Sequence, residues 1–163
     1  MQAKIGGNIK EAFAAAGETA ETADLKSTYI KRKSEIILLP IESDNDAAKH
    51  IIEDGDEIFV PEFTVTISGE VEKPGLYALI PNKTNNLNSL LRTAGGVKRT
   101  ADLSKVKVIH SSDGNISIVD CRKPEMQSRI QLMSGDTVFV AKTYYQAQIR
   151  KITLGLLAII LIL

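Results

Sequence analysis

The sequence predicts an α+β chain: two consecutive copies of a small sheet-and-helix unit, followed by a hydrophobic helix. Three observations predict it. An ordered internal repeat runs through most of the 163 residues, each copy switches from helical to strand periodicity, and the chain closes on an aliphatic run.

The repeat comes first because it organises everything else. Asn8-Ile9-Lys10-Glu11-Ala12-Phe13-Ala14-Ala15-Ala16-Gly17 aligns with Asn86-Leu87-Asn88-Ser89-Leu90-Leu91-Arg92-Thr93-Ala94-Gly95, an offset of 78 (94 − 16 = 78). The same offset relates Thr22-Ala23-Asp24-Leu25 to Thr100-Ala101-Asp102-Leu103. Further on, Gly55-Asp56 matches Gly135-Asp136 and Phe59-Val60 matches Phe139-Val140, with the offset grown to 80 (135 − 55 = 80). The chain is therefore divided into a first unit, 1–61, a second, 62–143, and a tail, 144–163.

In the second unit, Leu87, Leu90, Leu91 and Ala94 recur at the spacing of one helix face, and Gly95-Gly96 stops the helix. Ile9, Ala12, Phe13 and Ala16 make the same face in the first unit, with Gly17 as the stop. A polar turn holding Ala-Asp-Leu follows each helix. Asp24 and Asp102 are expected to cap it, their carboxylates accepting backbone N–H bonds. Alternating strands come next: Thr28, Ile30 and Arg32 in one unit, Val106, Val108 and His110 in the other. Residues 34–40 and 114–119 are their expected partners. Gly55-Asp56 and Gly135-Asp136 then turn the chain into strands at 57–60 and 137–140.

The second unit alone opens with a hairpin. Val65, Ile67 and Gly69 alternate with polar residues, and Pro74-Gly75 is expected to centre a type II turn into 76–79. The counterpart of Val65 in the first unit would fall at −13 (65 − 78 = −13), ahead of Met1. The expectation is a chain that forms the C-terminal part of a longer gene product, or a truncated copy, with an open sheet edge in its first unit. Residues 1–10 carry no secretory signal pattern.

Residues 152–163 are aliphatic except Thr153 and Gly155, with Tyr144-Tyr145 and Arg150-Lys151 ahead of them. A helix with no polar face, flanked by aromatics and cations, is expected to enter a membrane through Ile152, Leu154, Leu156, Leu157, Ile159 and Ile160. Twelve helical residues span ~18 Å against roughly 30 Å of hydrocarbon. Two arrangements fit: a membrane helix that continues past Leu163, or a helix working within a ring of copies. A buried C-terminal helix is the rival, disfavoured because two small units offer little interior to bury it.

Composition narrows the function. Twenty basic residues balance twenty acidic ones, so nucleic acid is not expected as a partner. Residues 1–61 carry net −5 (7 − 12), 62–143 net +3 (11 − 8) and the tail +2. One cysteine, Cys121, and two histidines, His50 and His110, cannot assemble a zinc site in one chain. Asp44, Asp46, Asp54 and Asp56 invite a calcium reading, but Asp44-Asn45-Asp46 lacks the glycine and distal glutamate of a calcium loop, and a solvated acidic loop is expected instead. Hydrolase, phosphate-loop and dinucleotide signatures are absent, so neither cofactor, metal nor catalytic residue is expected. Lys98, Arg99, Lys105 and Lys107 form a local basic cluster that would attract an acidic polysaccharide weakly at physiological salt.

With Val65, Gly69, Val71, Lys73-Pro74-Gly75, Tyr77, Leu87, Leu90, Ala94-Gly95-Gly96, Ala101-Asp102, Gly135-Asp136, Val138 and Val140 in view, the sequence resembles the soluble-ligand-binding β-grasp domain of outer-membrane polysaccharide export proteins. The resemblance covers 63–141 and, less completely, 5–61. Gly17-Glu18 replaces the double glycine, and Arg32 stands where the second unit has His110. The resemblance implies tandem β-grasp units and a non-enzymatic role in capsule or exopolysaccharide export. It further implies ring-shaped homo-oligomers, and periplasmic units attached at their C-terminal end to the outer membrane of the bacterial envelope. A soluble β-grasp module for a small ligand or sugar is the alternative; it predicts a concave pocket with convergent polar groups.

Overall fold

The computed structural model describes residues 7–143. The expected membrane helix and its six anchoring residues, Ile152 to Ile160, lie outside that span. Among the described residues no helix is long and apolar enough to cross a membrane. The chain packs as two compact units: 7–64 with 78–84, and 65–77 with 85–143.

The first unit contains α1 (Ile9–Ala16), β1 (Tyr29–Arg32), β2 (Glu35–Leu38), α2 (Asp44–Lys49) and β3 (Glu57–Phe59). Its sheet has the order β2-β1-β3, all antiparallel, with Ile30 paired to Ile37 on one side and Ile58 on the other. Asn8 caps α1, its side chain accepting the Glu11 N–H at 3.0 Å. Gly17 ends α1 with φ 93°. Glu18 follows at φ 68°, a left-handed conformation that costs a residue bearing Cβ about 1–2 kcal/mol. The core is Ile9, Ile30, Leu39, Ile41, Ala47 and Ile52, with Phe13 and Ile58 packed on it.

The second unit adds the opening hairpin: β4 (Thr64–Gly69), β5 (Gly75–Ala78), α3 (Leu87–Thr93), β6 (Val106–Ile109), β7 (Ile116–Val119), α4 (Pro124–Arg129) and β8 (Thr137–Val140). Its sheet runs β5-β4-β8-β6-β7, and β4 lies parallel to β8, Ile67 opposite Val138. Val65, Ile67, Val71, Leu87, Leu90, Ala94, Val106, Val108, Leu132, Val138 and Val140 are fully buried. The helical face and the strand alternation read from the sequence thus meet in one core.

Several details differ from expectation. The Pro74-Gly75 turn is not type II: Gly75 opens β5 without a positive φ. The positive φ, 92°, belongs to Gly69, where an added Cβ would meet the Val140 carbonyl oxygen at 2.0 Å. Close passage of β4 over β8 is what requires that glycine. Tyr77 closes the hairpin instead, its hydroxyl donating to the Lys73 carbonyl at 2.6 Å. Asp44-Asn45-Asp46 is not a loop but the first turn of α2, where the Ser43 side chain accepts the Asp46 N–H and its hydroxyl donates to the Asp46 carboxylate. Asp102 caps as expected, accepting the Ser104 N–H at 3.0 Å. Asp24 does not; its buried carboxylate accepts the Ser27 hydroxyl at 2.7 Å.

Candidate functional site

Each unit is built around a buried aspartate at its Gly-Asp turn. In the first unit Asp56 accepts the Glu53 N–H at 2.8 Å and both Nε and an Nη of Arg32 at 2.8 Å. Arg32 reaches Glu53 as well. The Arg32 guanidinium holds the Asp56 carboxyl below the usual carboxylate range. In the second unit Asp136 accepts the N–H groups of Met133 at 2.9 Å and Ser111 at 3.0 Å, with His110 Nδ1 at 3.3 Å from Oδ2. Arg32 and His110 are repeat equivalents (32 + 78 = 110), as are Asp56 and Asp136 (56 + 80 = 136). The node ties the β1 or β6 end to the turn before the last strand.

Sequence reasoning found no catalytic pair, yet this node places His110 Nε2 at 2.8 Å from the Ser117 hydroxyl, so Ser117, His110 and Asp136 align. The row has the composition of a nucleophilic triad. Its setting is that of a clasp. Asp136 accepts two backbone N–H groups, Ser117 lies within strand β7 rather than on a strained turn, and Arg32–Asp56 performs the same clasping in the other unit.

The four candidate polysaccharide contacts are all exposed. Lys98 and Arg99 occupy the turn after α3, Lys105 ends the short helical turn before β6, and Lys107 is on β6. On the sheet face turned away from the core, Lys107 is flanked by Ile118 and Phe139. None of the four forms an ion pair among the described residues. Nearby, Arg122 is occupied by Asp120, whose carboxyl it draws down to about 2.

Cys121 is buried, and burial pushes its thiol up to about 11. Among the described residues no cluster of three or more His, Cys, Asp or Glu could hold a metal.

The first unit carries a groove of about 340 Å³. Ala12, Phe13 and Ala16 of α1 form one wall and Ile58, Val60 and Glu62 the other, with residues 18–23 across the end. Among the described residues no basic side chain lines it.

A short helix across a mixed sheet whose opening strand runs parallel to its last defines the second unit as a β-grasp-like α+β domain. Residues 64–140, from β4 through β8, match the family model of the SLBB domain. The second unit is an SLBB domain. A comparison with curated proteins found no match.

Proposed function

We propose that this chain is a non-catalytic component of a bacterial polysaccharide export assembly in the cell envelope. The supporting observation is an SLBB domain at 64–140 directly preceded by a second copy of most of its elements. In this reading the units are periplasmic, copies associate as a ring, and the apolar tail attaches the chain to the outer membrane. Lys98, Arg99, Lys105 and Lys107 make weak, salt-sensitive contacts with a passing acidic glycan, which suits a chain that must keep moving. A soluble small-ligand or sugar-binding role would need convergent hydrogen-bonding groups in a pocket.

The test is co-sedimentation of the full chain with lipid vesicles and a labelled polyuronate at low ionic strength. The chain should pellet with vesicles and retain polyuronate. Changing the four cations to glutamine should release the glycan but not the vesicles, and deleting residues 150–163 should release the vesicles. Polyuronate retention unaffected by the glutamine changes would contradict the glycan contact, and vesicle binding without the tail would contradict the anchor.

A further inference from the structure

We infer that the groove of the first unit is an acceptor site for an extended polypeptide strand, which lies parallel to β3 and carries a basic residue where β4 is followed by Glu70. The second unit supplies the template, because its equivalent surface is already occupied by β4 and the residues after it. Beyond the β4–β8 ladder, five backbone bonds hold that segment. Thr66 and Glu70 donate to the carbonyls of Asp136 and Val140 at 2.9 and 2.8 Å. Glu72 and Lys73 donate to Gly96 and Ala94 at 3.0 Å each, and the Glu70 carbonyl accepts the Lys98 N–H at 3.0 Å.

Shifted by the repeat, the five partners in the first unit are the carbonyls of Asp56, Val60, Glu18 and Ala16 and the N–H of Ala20. Among the described residues none of these five groups has a hydrogen-bond partner, and β3 pairs with β1 alone. The side chains tell the same story. Val138, Val140 and Ala94 are fully buried beneath β4, whereas their equivalents Ile58 and Val60 are partly open and Ala16 is exposed. An apolar floor bordered by unpaired, correctly spaced backbone groups is what strand addition uses: the ladder gives affinity and alternate side chains give specificity.

The rim sets the charge of the occupant. In the second unit the Glu70 carboxylate receives the Thr100 hydroxyl, with Gly96 and Lys142 at the positions matching Glu18 and Glu62. In the first unit Thr22, the equivalent of Thr100, already donates to Glu62 at 3.0 Å, and Glu18 and Glu62 both line the groove. A glutamate arriving there would meet two carboxylates and an occupied hydroxyl. A lysine or arginine would meet complementary charge. The proposal draws nothing from the export reading and stands or falls separately from it.

The probe is a fluorescent peptide with the sequence of residues 63–76, made with glutamate or with lysine at position 70, titrated into the full chain in mild detergent. Anisotropy should saturate for both, with the lysine peptide at least about fivefold tighter at low salt and the gap closing as salt screens the rim. Ala16→Arg, at an exposed position lining the groove, should weaken both peptides at least about tenfold. Glu62→Lys installs the residue found at 142 and should invert the preference. On binding, the Ala20 amide should gain protection from hydrogen exchange. A scrambled peptide bound equally well, a preference that survives Glu62→Lys, or no saturable binding would each overturn the proposal.

Discussion

Replacing Asp136 by alanine should remove most of the stability of the second unit. The carboxylate is fully buried and accepts two backbone N–H groups, from Met133 and Ser111, while facing His110. Hydrogen bonds to a charged group contribute about 1.5–3 kcal/mol each, and donors left unsatisfied add their own desolvation cost. Both donors lie in turns that water can reach, which sets the expected loss near the low end for two bonds, about 3–4 kcal/mol. Against a domain stability of roughly 5–15 kcal/mol this leaves the unit marginal. Cys121 supplies a local readout in the full chain: it is the only cysteine, it is buried, and it belongs to the second unit. Alkylation as a function of urea gives the opening free energy there for wild type and variant. His110→Arg, which copies Arg32, should stay within about 1 kcal/mol of wild type by the additivity of like-for-like clasps. A loss below about 1 kcal/mol for Asp136→Ala would refute the view of this node as a structural clasp.

Other predictions follow from comparing the units. Thr28 is fully buried, its hydroxyl has no partner among the described residues, and its repeat equivalent is Val106, so Thr28→Val should stabilise the first unit by about 1 kcal/mol in urea unfolding. The Cys121 thiol, raised by burial, should resist iodoacetamide at neutral pH until the unit opens; rapid native-state labelling would contradict the packing around it. Asp56 is depressed in the folded state by Arg32, so its stabilisation is present above the unfolded value near 3.8 and is lost as pH falls through the lower folded one. First-unit stability, followed by circular dichroism in acid, should therefore decline below about pH 4, and Arg32→Gln should reduce that decline while lowering stability at neutral pH; the Glu53 N–H on Asp56 and the lowered Asp46 leave part of it in place.

Periodicity made the repeated elements legible. α1 and α3 each carry apolar residues at helical spacing with a glycine stop, and the strands around Ile30 and Val108 alternate cleanly. α2 and α4 were not legible because six residues are too few to show a period; only Ser43 paired with Asp46, and Pro124 at a helix start, marked them. The hairpin was read correctly but its glycine was misplaced. Pro74-Gly75 carries a turn signature, whereas the demand for a glycine arises from the passage of β4 over Val140, a contact invisible in local sequence. The alignment Arg32/His110 stood out in the sequence only as a difference between the units; its aspartate partners, and Ser117 joining through strand pairing, are visible only in the fold. The expectation for the first unit was an open sheet edge, not a groove. Its open backbone groups became apparent only once the two units could be compared bond by bond.

The central claim is that both units are copies of one fold and that, among the described residues, no strand stands beside β3 where β4 stands beside β8. Residue-resolved hydrogen exchange on the full chain tests it at a matched pair of amides. Lys98 N–H is bonded to the Glu70 carbonyl at 3.0 Å, while its equivalent Ala20 N–H has no partner among the described residues. The account predicts that Lys98 is protected at least about tenfold more than Ala20, with the same ordering between the amides of β8 and β3. Equal protection at Ala20 and Lys98 would contradict it.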